Sequence, residues 1–426
     1  MSKRTIPVTQ VRLGMHIHAL EGPWISHPFW KTRFVLTDPE DLAKLLHSGV
    51  SGVVIDTSKG LDVQRESEAP VAPRAAAPAA PEVAPAPAPA PVVVAIPAPV
   101  ARDLSGPPPE PSSSMAEELS QAKAIYRQSR EQVSSMFTEA RLGKAIDAEE
   151  CLPLVNDIAD SVFRNPGALV SLARLKTQDD YTYMHSVAVC ALMVALGKQL
   201  GLNEAACREA GLSGLLHDLG KAVMPLDVLN KPGKLTDDEF VIMKSHPVRG
   251  YEMLLEARGA PEGAMDVCLH HHERVDGTGY PHKLPGDKLS LLARMGAVCD
   301  VYDAITSNRP YKAGWDPAHS IAQMAGWKGH FDTVVFQAFV KSLGIYPVGS
   351  LVKLKSGKLA VVTEQNPKNL VSPIVKVFFS SKSQLHITPT VLDLSQSADQ
   401  IVSRENPEAW GFKDLDALWA GDLPRR

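Results

Sequence analysis

Paired cysteines at metal-knuckle spacing are missing from this chain of 426 residues. Its five cysteines, Cys151, Cys190, Cys207, Cys268 and Cys299, form no CxxC, and most lie on apolar faces. They read as small core residues of a reducing compartment, which sets aside a disulfide scaffold and a zinc knuckle. Long apolar runs are missing too. Residues 1–20 hold no unbroken stretch of the secretory kind. The best run, Ala188 to Leu196, is half the ~18 residues of a membrane span. Neither charge sign dominates: 44 basic residues face 48 acidic ones, for a net charge of −4. That balance argues against a general basic surface for nucleic acid. No P-loop and no internal repeat is evident. The expectation is a cytoplasmic protein without membrane insertion and without a nucleic-acid polymer as partner.

Proline, by contrast, is abundant in one place. From Pro70 to Pro111 there are 14 Pro and 13 Ala, too few donors and side chains for a core. This stretch reads as an extended, polyproline-like spacer. Four segments follow: a small α+β domain at 1–66, a Pro/Ala-rich linker at 67–112, a helical domain at 113–345 and a β-rich appendix at 346–426. In the head, strands are expected at Thr9–Leu13, Met15–Ile17 and Val53–Ile55. A short helix is expected from Pro39 to Leu46, and Trp24, Phe29, Trp30 and Phe34 are the expected core. The body opens with the capping box Ser114-x-x-Glu117, and Thr236-x-x-Glu239 repeats the device. Tyr183 to Leu200 reads as a helix with one apolar face, Asn203 as a cap, and Ser290 to Asp303 as a further amphipathic helix. After Pro347 the period changes to two, in SLVKLKSG, KLAVVTEQ and PIVKVFFS.

Histidines and aspartates gather inside the helical part. His185 lies near the start of one helix, His217-Asp218 closes another, His246 follows a third and His270-His271-His272 ends a fourth. Asp300 and Asp303 sit one turn apart on a later helix. Each piece alone has a plain structural reading: a satisfied core histidine, or a solvated helix end. Together they are harder to explain that way, because burying several such groups without a cation carries a large desolvation penalty. Imidazoles and carboxylates delivered from several helices are a common way to build a multinuclear metal site. Nitrogen and oxygen donors without thiolate suit iron or manganese better than a structural zinc. His16, His18, His27, His47, His282, His319, His330 and His386 show no ligand spacing.

The stretches His217-Asp218-Leu219-Gly220-Lys221 and His271-His272-Glu273-Arg274-Val275-Asp276-Gly277-Thr278-Gly279-Tyr280-Pro281 resemble the HD-GYP family. Asp300 to Lys312 (DVYDAITSNRPYK) and Tyr181 to Ser186 (YTYMHS) match it as well, in the family's order and over about 170 residues. Residues 8–15 and Trp24 to Phe29 look like an uncharacterised domain often found ahead of this one. The resemblance implies a mainly α fold, an HD-type helical bundle with the small C-terminal β appendix, preceded by the α+β domain and linker. It also implies metal-dependent hydrolysis of cyclic di-GMP to the linear dinucleotide pGpG, and further to GMP in some members.

Carried over by motif, the metal ligands are His185, His217, Asp218, His246, His271, His272 and Asp300, with Asp218 bridging two ions. Catalytic roles fall to Asp218 and Lys221, and substrate contacts to Asp303, Arg309, Lys312 and Tyr280. A phosphodiester is anionic, so paired cations that hold a hydroxide and neutralise its oxygens answer the chemistry. Arg309 suits a phosphate bidentately and Lys312 as a point charge. Gly277 and Gly279 permit an irregular loop that carries Tyr280 to a guanine. Asp303 orients a ligand or meets substrate. Some relatives place a third-metal Glu one turn before the first histidine. Tyr181 stands there, so two divalent ions, Fe or Mn, are expected. Two other readings stay open: a non-catalytic signalling or docking protein, and a phosphodiesterase for a related cyclic dinucleotide. A homodimer or a signalling partner fits such a domain.

Overall fold

The computed structural model describes residues 3–21, 34–46, 52–61, 111–175, 181–307, 314–412 and 415–421. The chain divides into two compact units, Met1–Pro89 and Ala90–Arg426. Among the described residues no helix is long and apolar enough to cross a membrane.

In the first unit, β1 (Lys3–Pro7), β2 (His16–Glu21), β3 (Phe34–Val35) and β4 (Gly52–Asp56) form an antiparallel sheet in the order β1-β4-β2-β3, with α1 at Pro39–Leu46. The strand expected at Thr9–Leu13 is instead a 3-10 turn, Val8–Gln10, running into a bend at Gly14, whose φ is +87°. Glycine alone takes that conformation without strain. The core is aliphatic: Ile6, Met15, Ile17, Leu36, Leu45, Val53 and Ile55. Trp24, Phe29 and Trp30 lie outside the described residues, as does the side chain of Phe34.

In the second unit, α2 (Met115–Arg141) starts at a complete capping box, with the Ser114 hydroxyl accepting from Glu117 N and the Glu117 carboxylate accepting from Ser114 N. Glu118, fully buried, accepts from Arg164 Nε at 2.8 Å and from Ser161 Oγ at 2.7 Å, which fixes α2 against α3 (Leu152–Arg164). Next come α4 (Pro166–Ala173) and α5 (Tyr181–Gln199). One apolar face was expected for α5; instead every residue from 184 to 197 is buried. The reason is its central place, with α2, α3, α4, α6, α11 and α13 all packed around it. A helix enclosed on all sides has no solvent face to keep polar.

Asn203 caps α6 (Glu204–Leu216), its side-chain oxygen accepting from Ala206 N at 2.8 Å. Gly214 lets α6 lie against α5, since a Cβ there would meet Val189 O at 2.9 Å and Cys190 N at 3.0 Å. A 3-10 turn (Leu219–Val223) follows, then α7 (Leu226–Leu229), α8 (Asp237–Met243, with the second capping box), α9 (His246–Leu255) and α10 (Glu262–His270). The bundle is completed by α11 (Leu291–Thr306), α12 (Pro317–Gly326) and α13 (Thr333–Leu343).

Beyond them β5 (Leu351–Leu354), β6 (Lys358–Glu364), β7 (Ile374–Ser380), β8 (Leu385–Asp393) and β9 (Ile401–Arg404) pair antiparallel in the order β8-β7-β6-β5-β9, before the short α14 (Asp416–Ala420). Leu351, Leu359, Val361 and Phe379 join the helical core together with Met115 and Leu119. Val352, Leu354, Ala360, Val362 and Val375 form a second cluster on the other side of the sheet. The five cysteines are free, and four are buried. Burial pushes the thiols of Cys151 and Cys207 up to about 11, in keeping with inert packing residues.

Candidate metal centre

Five elements meet at one point. His185 comes from the first turns of α5, His217 and Asp218 from the close of α6, His246 from the start of α9, His271 and His272 from the end of α10, and Asp300 and Asp303 from the middle of α11. All but His272 are at most 5% exposed.

Backbone carbonyls set the ring orientations. His217 Nδ1 lies 2.7 Å from Gly214 O, His246 Nδ1 2.7 Å from Met243 O, and His271 Nδ1 3.0 Å from both Val267 O and Cys268 O. A carbonyl only accepts, so each Nδ1 carries the proton and each Nε2 presents a lone pair to the centre. His246 Nε2 and His271 Nε2 then face each other at 3.3 Å, an arrangement that two lone pairs favour only around a cation.

Asp218 stands between two such groups. Its Oδ1 is 3.2 Å from His246 Nε2 and 3.7 Å from His271 Nε2. Its Oδ2 is 3.4 Å from His185 Nε2, 3.3 Å from His217 Nε2 and 2.5 Å from Lys221 Nζ. Asp300 straddles in the same manner, with Oδ1 3.0 Å from His185 Nε2 and Oδ2 3.6 Å from His272 Nδ1. Three sets of donor atoms lie within 4.8 Å of one another: His246, His271 and His272; His185, His217 and Asp300; and His217, Asp218 and His271. His217 Nε2 and Asp218 Oδ1 are buried polar atoms with no hydrogen-bond partner, which is what a coordinating atom looks like when its cation is left out of account. The residues therefore fit divalent ions, and no thiol is among the donors.

The electrostatics of His271, His272, Asp218 and Asp300 agree with this division of roles. Burial pushes His271 well below its ordinary value, and the neighbouring rings of His272 and His217 add to it. Burial likewise holds His272 down to about 3. Both imidazoles are thus neutral and able to donate a lone pair. Burial would raise Asp218 and Asp300, yet both are held well below the usual carboxylate range, with the Lys221 ammonium acting at Asp218 and the hydrogen bond to His185 at Asp300. Both carboxyls stay ionised. At His185 burial is overcome by the hydrogen bonds to Asp300 and Asp303, and the ring is raised.

Asp303 was expected either to orient a ligand or to meet substrate. It sits 2% exposed behind His185, with Oδ2 2.6 Å from His185 Nδ1 and Oδ1 accepting from Ser307 Oγ at 3.2 Å, a place from which it orients a ring. Tyr280 stacks on His272, ring centroids 4.7 Å apart, and Lys244 Nζ lies 5.3 Å from the Tyr280 ring centre. Arg309 and Lys312 lie outside the described residues, as does the side chain of Tyr181. Sequence reasoning passed over the carbonyls of Gly214, Met243 and Val267. His270, which the motif register leaves as a neighbour of the ligands, has its Nδ1 2.7 Å from Asp266 Oδ1, a partner that was likewise not foreseen. Their only signal is a spacing of three or four residues within a helical turn, which every helix shares.

A family model described as "HD domain" matches residues 158–335, and one described as "Domain of unknown function (DUF3391)" matches residues 3–151. The chain is 52% identical to the cyclic di-GMP phosphodiesterase PA4108 of Pseudomonas aeruginosa, over 99% of this chain and 96% of that protein. It is 44% identical to the cyclic di-GMP phosphodiesterase response regulator RpfG of Xanthomonas campestris pv. campestris, over 34% of this chain and 39% of the relative. The 3'3'-cGAMP-specific phosphodiesterase 1 of Vibrio cholerae is 34% identical over 39% of this chain and 38% of its own length. On the near-complete likeness to PA4108, the HD-domain match and the HDLGK, HHERVDGTGYP and DVYDA segments, this chain belongs to the HD-GYP family of HD-domain proteins, with a DUF3391 module ahead of it.

Proposed function

We propose that the chain is a metal-dependent phosphodiesterase that opens cyclic di-GMP to pGpG. The observation that carries this reading is Asp218, whose two oxygens turn to two different groups of imidazoles. Two divalent ions, iron or manganese, would be held by His185, His217, Asp218 and Asp300 on one side and by Asp218, His246, His271 and His272 on the other. Bound there, they supply Lewis acidity toward a phosphoryl oxygen and a water that ionises near neutral pH. The chain's own residues do the rest. Asp218 stays ionised, Lys221 brings a cation beside it to meet developing negative charge, and Asp303 orients the His185 ring. Arg309 and Lys312 are assigned to the substrate phosphates and Tyr280 to a guanine. The division into 1–66, 67–112, 113–345 and 346–426 belongs to the same proposal, with the catalytic groups confined to the third segment.

The test is turnover of cyclic di-GMP by protein purified without air and loaded with iron or manganese. Linear dinucleotide is the expected product, and His217→Ala or Asp218→Ala should lower the rate by about a thousandfold or more. Elemental analysis should find two ions per chain; three would overturn the two-ion site. A second reading is favoured by the Vibrio cholerae relative named for 3'3'-cGAMP. Phosphate contacts do not choose bases, so competition between the two cyclic dinucleotides decides it.

A further inference from the structure

Glu273 follows the two ring-bearing histidines and is 1% exposed, and among the described residues it makes no ion pair. A buried carboxylate without a cation needs other donors. Glu273 finds them in a row of backbone amides. Oε1 accepts from His282 N at 2.6 Å and from Lys283 N at 2.8 Å, and Oε2 from Leu284 N at 3.2 Å. Lys283 has φ +57°, a left-handed conformation that a lysine adopts at some expense and that points successive amides the same way. The loop is drawn back at two more points. Tyr280 N donates to His272 O at 3.2 Å, and Gly279 passes so near the Glu273 backbone that a Cβ would fall 2.5 Å from Arg274 N. Between these ties stands Tyr280, its ring stacked on His272.

We propose that Glu273 is a positioning residue for base recognition: its carboxylate straps down the 282–284 backbone so that the Tyr280 ring is held over His272, ready to stack on a guanine of the substrate. The inference rests on the cyclic di-GMP reading above. Glu273 touches neither substrate nor ions; it acts through Tyr280. In Glu273→Gln the amide nitrogen replaces one acceptor with a donor facing backbone N–H groups, so the strap loosens while the side-chain volume is kept.

Kinetics on cyclic di-GMP and on bis(4-nitrophenyl) phosphate, a phosphodiester without a purine, test the idea. Glu273→Gln should raise KM for cyclic di-GMP about tenfold, the size of one lost base–aromatic stack. Its kcat should stay within about twofold and its metal content unchanged, the pattern of lost uniform binding. The purine-free ester should be hydrolysed as before. Added to Tyr280→Ala, Glu273→Gln should change nothing further, since its effect runs through that ring. Additive losses in the double variant, or a fall in kcat and metal content with both substrates, would overturn the proposal. If Glu273→Gln does not fold, Gly279→Ala loosens the same loop from another contact and should give the same rise in KM. A wild-type protein that cleaves the purine-free ester but not cyclic di-GMP would instead refute the functional reading.

Discussion

Asp218 and the rings around it show how much one protonation pattern can decide. Three imidazoles donate Nδ1–H to carbonyls of their own helical turns, which leaves three Nε2 lone pairs converging on a carboxylate. His185 differs, because a carboxylate rather than a carbonyl holds its Nδ1. Asp303→Asn tests that difference. The Asn oxygen can still accept from Nδ1–H, so the ring keeps its place, but the charge that makes it a better donor is gone. The expected outcome is a 10–100-fold weaker response to added manganese, of about the size seen when such outer partners are removed, with kcat largely recovered at saturating metal. A titration of activity against manganese reads it. The residue types were legible in the sequence, and the register of the His-His pair with them. The direction each ring faces was not, since it depends on carbonyls three or four residues away that any helix offers.

At the scale of elements, close backbone approach brings the ligands together. Gly220, in the 3-10 turn after Asp218, meets α9 so tightly that a Cβ there would run into the His246 carbonyl and lie 2.5 Å from Gly250 N. Neither glycine touches a ligand atom, yet both set the distance between Asp218 and His246. Gly220→Ala should therefore push α9 away. The expected result is loss of most bound metal and a Tm lower by several degrees, consistent with overpacking of about 1–3 kcal/mol, with elemental analysis and thermal melts as the readouts. Capping boxes at Ser114 and Thr236 and the cap at Asn203 were legible because side chains three residues apart announce them. The burial of α5 on every side was not, because periodicity reports a face only where solvent remains on the other. The strand expected at Thr9–Leu13 gave way to a turn for a similar reason: alternation over five residues was outweighed by the bend that Gly14 makes next to it.

At the scale of the whole molecule, the site draws on α5, α6, α9, α10 and α11, so anything bound there ties distant parts of the chain together. Ligand binding to the native state alone stabilises it by mass action. Chelation of the loaded protein should therefore lower its Tm, and manganese should restore it, while Asp218→Ala should show neither shift; differential scanning calorimetry on the full chain measures both. The same convergence explains what was readable beforehand. Sequence alone determined the helical class, the proline-rich break and the inventory of imidazoles and carboxylates, because helix caps, composition and short motifs are local properties of the chain. Only the tertiary structure decided that Asp218 faces two groups of rings, that Asp303 stands behind His185 and that Glu273 holds a loop by its amides. Those relations join residues up to 118 positions apart, and such distances close only when the helices pack.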